Sequence, residues 1–106
     1  MPDDLENFRR EGRGRVFDKY TDFFVVFNRV AVQASGDAGH DNKALKQFAE
    51  ETLSEIFQRH GKGGVSMAQA SASRVFVRGI DGQMAREIER LPSVESVWPD
   101  FEIGAL

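Results

Sequence analysis

Apolar residues first alternate along this chain, then recur at helical spacing, then alternate again. "FFVVFNRVAV", from Phe23 to Val32, is β-branched and aromatic and apolar on both alternating sets, the pattern of a central strand. Phe23, Val25 and Phe27 point one way, Phe24 and Val26 the other. "SGDAGHDN", Ser35 to Asn42, reads as a loop in which Asp41 or Asn42 caps the helix that follows. Over Lys43–His60, Leu45, Phe48, Ala49, Thr52, Leu53, Ile56 and Phe57 fall at three- and four-residue steps, so one helix carries one apolar stripe. Gly61 supplies its stop. Val65–Ala70 and Arg74–Arg78 read as two short strands turning near Ser71-Ala72-Ser73. In the second, Val75 and Val77 alternate with Arg74, Phe76 and Arg78. Asp81 caps a shorter helix over Gly82–Leu91, with Met84, Ala85, Ile88 and Leu91 on its buried face and Pro92 at its end. A last strand begins near Val94.

The order strand, helix, strand, strand, helix, strand predicts an α+β fold. It is a ferredoxin-like βαββαβ sandwich, with a four-stranded antiparallel sheet and both helices on one face. The other face is then open. Phe24 and Val26, with Phe76 as a neighbour, would stand on it, and an apolar patch there predicts a partner surface. A strand phase shifted by one residue, or a leader folded over that face, accounts for the same pattern.

Composition narrows the functional classes. The chain has 106 residues, 41% hydrophobic and 29% charged, which suits one small globular domain. A net charge of -3 supplies no field that favours nucleic acid or an anionic membrane. There is no cysteine, which removes disulfides, thiolate chemistry and cysteine metal sites. No apolar run reaches the roughly 18–20 residues of a membrane span, and Pro2-Asp3-Asp4-Leu5-Glu6 is not the start of a secretory signal. Residues 1–21, with "RREGRGR" from Arg9 to Arg15, read as a solvated, flexible leader, an electrostatic contact for a partner, or a basic protease-sensitive site.

Catalysis finds little support. His40 lies in a loop and His60 at a helix end beside terminal carbonyls, with no spaced ligand for a metal or cofactor. Glu50, Glu51, Glu55, Glu87 and Glu89 read as solvated helix positions rather than an acid/base pair. Gly61, Gly63 and Gly64 follow a helix and look like turn glycines, not a phosphate cradle. An RNA-recognition domain shares the element order, but "SRVFVRGI" offers only Phe76 between Arg74 and Arg78.

"LPSVESVWPDFEIGAL", Leu91 to Leu106, carries a resemblance. Pro92 and Val94 make a P-x-V turn, and Val94, Val97 and Asp100 fit V-x-x-V-x-x-D with six residues following. With "GKGGV" at Gly61–Val65 and "FFVVFNR", this resembles the proteinase-inhibitor type of propeptide of subtilisin-like serine proteases, over roughly residues 22–106. The resemblance implies the same ferredoxin-like fold in an inhibitor domain at 22–100, and an extended tail at 101–106. It also implies an intramolecular chaperone and product-like inhibitor, not an enzyme, whose partner is a cognate protease catalytic domain. Secretion as part of a zymogen precursor is implied with it. By that resemblance the open sheet face, with Phe24, Val26, Phe76 and Trp98, docks on protease helices. Asp100 caps a helix N-terminus, where the dipole favours negative charge. Ile103, Gly104, Ala105 and Leu106 lie in the cleft as an added strand, with Leu106 in the primary pocket and Ile103 in the fourth.

Two departures stand out. A second carboxylate expected two residues before Asp100 is Trp98 here, followed by Pro99, so Glu102 or Glu95 takes that capping role or Trp98 supplies apolar contact instead. The link between the middle strands is also short. A stand-alone protease inhibitor and a ferredoxin-like ligand- or RNA-binding module are the competing readings.

Overall fold

Phe23, Val25 and Phe27 form the buried side of β1 (Phe23–Phe27), each at most 1% exposed. The computed structural model describes residues 17–100. β1 is followed by α1 (Arg29–Ala34), a 3₁₀ turn (Gly36–Gly39), α2 (Asn42–His60) and β2 (Gly64–Gln69). A second 3₁₀ turn (Ala70–Ala72), β3 (Arg74–Arg78), α3 (Gly82–Glu89) and β4 (Val94–Pro99) complete the order. The four strands form one antiparallel sheet in the order β2-β3-β1-β4. β1 and β2 therefore run parallel with β3 between them, and β3 and β4 run parallel with β1 between them. Each of these pairs is joined through a helix, so the fold is the expected α+β ferredoxin-like sandwich.

Val25, Val75, Val77 and Val97 close on Leu45, Ala49 and Leu53 of α2 and on Met84, Ala85 and Ile88 of α3. All ten are at most 1% exposed, so the core lies between the sheet and these two helices. Phe27 meets Phe48 edge-on, with centroids 5.1 Å apart, a geometry that aromatic rings favour.

Three local expectations are corrected. The strand predicted to reach Val32 stops at Phe27, because Asn28 caps a helix. Its side-chain oxygen accepts from the Ala31 amide at 2.8 Å while its Nδ2 donates to the Pro92 carbonyl at 2.8 Å. The β-branched "RVAVQA" thus forms α1, a third helix, in spite of its strand-like composition. The polar leader assigned to residues 1–21 gives up its last residues to the core. Phe17 is fully buried with its ring 5.4 Å from that of Phe23, and Tyr20 is 8% exposed. Lastly, α3 ends at Glu89 rather than Leu91. Arg90 is its C-cap, and Leu91 to Val94 turn into β4.

The other helix ends follow the predicted capping chemistry. Asp41 accepts from the Lys43 amide, and Gly61 closes α2 in the left-handed conformation at φ 68°. Asp81 accepts from the Met84 amide at 2.9 Å and pairs with Lys62 at 2.7 Å. The Lys62 contact, followed by the Met84 amide, holds the Asp81 carboxyl below the usual aspartate range. Two glycines are required by close approach. At Gly63, with φ 99°, a Cβ would stand 2.7 Å from Ile80 and 2.8 Å from Phe57. At Gly82 it would strike the Asp18 carboxylate, so residues 17–20 can lie directly on the start of α3.

Candidate functional site

The helix-free face, on which no helix of the described residues packs, carries Arg74, Phe76 and Arg78 of β3, Phe24 and Val26 of β1, and Ser96 and Trp98 of β4; a register irregularity returns Val94 to the core side. Register sets Phe24 of β1 between Phe76 of β3 and Trp98 of β4. Across β3, Phe76 is registered with Met67 of β2. One apolar row, Met67, Phe76, Phe24 and Trp98, thus crosses the whole sheet. It follows from the two-residue period of a strand once pairing is set. Val26 and Arg74 pair in the row on one side, and Arg78 lies near Asp22 on the other.

The row is packed within itself. Phe24 and Phe76 meet edge-on with centroids 4.7 Å apart, and the Arg74 guanidinium lies 4.8 Å over the Phe24 ring. Arg74 is held there by donating to Gln69 Oε1 at 2.6 Å. Trp98 Nε1 donates to Ser96 Oγ at 3.0 Å, so its polar edge is satisfied on the same face. Beside the row is a groove of about 670 Å³, lined by Phe24, Met67, Phe76, Arg78 and Asp100 among others.

The structure brings all four predicted sheet-surface residues together and alters two emphases. Phe24, Val26 and Trp98 are half-buried, whereas Phe76 is only 9% exposed and so offers less contact area than an outward strand position implies. Met67, not singled out in the sequence, is 63% exposed and is the most prominent apolar side chain of the face. Its signal was weak because β2 alternates poorly, with a register irregularity between Val65 and Met67. Asp100 follows β4, and its amide donates to the Asp22 carbonyl at 3.0 Å. Asp100 is 2% exposed, so it is more enclosed than an exposed capping carboxylate. Glu102 and the tail residues Ile103, Gly104, Ala105 and Leu106 lie outside the described residues.

A second polar group was not legible. His60 of α2 contacts Glu87 of α3 at 2.8 Å, and Arg59 pairs with the other Glu87 oxygen. Glu87 is therefore not a solvated position, with its side chain 22% exposed, and His60 has a carboxylate partner 27 residues away in sequence. This cluster ties the two helices together. Among the described residues no group of three or more His, Cys, Asp or Glu side chains is arranged to hold a metal ion. No helix among them is long and apolar enough to cross a membrane.

Comparison of the chain with protein-family models, curated proteins and solved structures finds no match.

Proposed function

We propose that this domain is the propeptide of a subtilisin-like serine protease, acting as intramolecular chaperone and product-like inhibitor. The observation that supports this most is the apolar row from Met67 to Trp98 on the helix-free face. Its β4 end leads directly into Asp100 and residues 101–106. The sheet face is the larger contact and the tail the specific one. Holding the face in place raises the effective concentration of the tail at the cleft, so a cleaved product stays bound. The tail adds as a strand through backbone hydrogen bonds, with Leu106 filling the primary pocket. On this reading the chain catalyses nothing itself, takes no cofactor, and travels with its protease through secretion.

The RNA-binding alternative also has an observation behind it. Phe24 and Phe76 stand on the two central strands, with Arg74 and Arg78 beside them. A stacking platform needs open ring faces. Here Phe76 is 9% exposed and Arg74 already lies over Phe24, which favours a protein partner.

The test is inhibition of a generic subtilisin by the full chain and by a variant lacking Ile103–Leu106. The full chain is expected to inhibit tightly, and the shortened one to lose inhibition while keeping its circular-dichroism spectrum. Equal inhibition by both, or none by the full chain, would reject the proposal.

A further inference from the structure

One pair of opposite charges on the helix-free face is placed so that it complements itself, while Arg74 stays over Phe24 and bonded to Gln69. In the central columns Phe76 of β3 pairs with Phe24 of β1. One step along, Arg78 on the β3 column approaches Asp22 on the β1 column, with Nε and Oδ2 3.9 Å apart. A cation and an anion thus stand side by side next to the apolar row. Asp22 is anchored, since its Oδ1 accepts from the Gly79 amide at 3.3 Å, whereas the Arg78 side chain is 63% exposed.

Consider a two-fold axis parallel to the strands and passing between β3 and β1. It exchanges β3 with β1 and β2 with β4, keeping each row level. Two sheets related in this way face each other with their rows reversed. Arg78 stands opposite Asp22 of the second copy, Phe76 opposite Phe24, and Met67 opposite Trp98, and each contact occurs twice, as an isologous interface requires. The four charges form an alternating square. Two other placements of the axis conflict with the charges. Moved between β1 and β4, it sets Asp22 against the Asp100 of the copy. Turned across the strands, it sets Arg78 against Arg74. Sheets pack face to face about 10 Å apart with nearly aligned strands, which this axis satisfies.

We infer that the helix-free face pairs with the same face of a second copy of this chain about the strand-parallel axis. Met67, 63% exposed, lies in the surface that such a pair covers. The inference does not depend on the inhibitor reading. If both hold, the dimer and the protease compete for one surface, and the free domain shields its apolar row until the protease takes it.

Sedimentation velocity of the full chain over a concentration series tests it. A monomer–dimer equilibrium is expected. Arg78→Asp opposes two carboxylates at each former ion pair and should raise the dissociation constant at least about tenfold. Asp22→Arg should do the same with two cations. An equimolar mixture of the two variants restores both ion pairs and should dimerise where each alone does not. Thermal unfolding of each variant checks the fold. If Asp22→Arg does not fold, Met67→Glu, at an exposed position, serves in its place as a second disrupting variant. A wild-type chain that stays monomeric at every concentration overturns the inference. So does a dimer that Arg78→Asp and Met67→Glu leave intact, or a mixture of folded variants that stays monomeric. Subtilisin inhibition is measured separately, so each reading fails on its own evidence.

Discussion

The two faces of the sheet are built from the same strands and do different work. On the helix side, Phe23, Val25, Val75, Val77 and Val97 are at most 1% exposed and are closed off by α2 and α3. On the other side, their immediate sequence neighbours Phe24, Val26 and Trp98 are half-buried and lie among arginines and Met67. The difference teaches that side-chain alternation separates folding from contact residue by residue. A strand can hold the core with one set and offer an apolar surface with the other. The central β1 is apolar on both sets, which in the sequence is the pattern of a strand expected to be covered on both faces.

Substitutions on the two faces separate these tasks. Phe23→Ala empties a fully buried aromatic position and should cost about 3–5 kcal/mol, read by denaturant unfolding. Its neighbour Phe24→Ala removes a half-buried ring and one aromatic pair, for roughly 1–2 kcal/mol. Its larger effect should be on subtilisin inhibition. Equal losses of stability at the two positions would erase the distinction between the faces. Asp81→Ala lies off both faces and should cost about 1 kcal/mol as a lost helix cap. Because folding lowers the Asp81 pKa, its contribution is complete above the ordinary aspartate value and is lost as pH falls through the lowered one. The variant should therefore lose less stability than the wild type as pH falls below the ordinary aspartate value of about 4. Smallest of all, Met67→Ser should change folding stability by no more than about 0.5 kcal/mol, since the side chain is exposed. A larger change would place Met67 with the core.

Most of this was legible wherever a period was long and caps agreed with it. Leu45 to Phe57 announce α2, and Asp41, Asp81 and Gly61 are where the helices begin or stop. Alternation set Phe24 and Val26 opposite the core before any pairing was known. What was not legible depends on contacts between distant residues. Asn28 looked like a strand residue because nothing local shows that Pro92 would anchor its side chain. Phe17 and Tyr20 are isolated apolar residues among charges; in the fold the ring of Phe23 packs on Phe17, and Gly82 leaves room for Asp18 between them. His60 and Glu87 carry no spacing signal, because two separate helices bring them together. The complete row required the strand order, which joins Met67 and Trp98 from opposite edges of the sheet.

The chain has one tryptophan and one tyrosine, and the fold separates them by function. Trp98 stands on the helix-free face with its indole N–H tied to Ser96, while Tyr20 is buried with the core. The molecule thus carries two intrinsic optical probes. Indole emission reports what lies on the outer face, and energy transfer from the phenol reports whether the core still holds the two rings at a fixed separation. Occupation of the face and loss of the fold can be followed at once in an unlabelled sample.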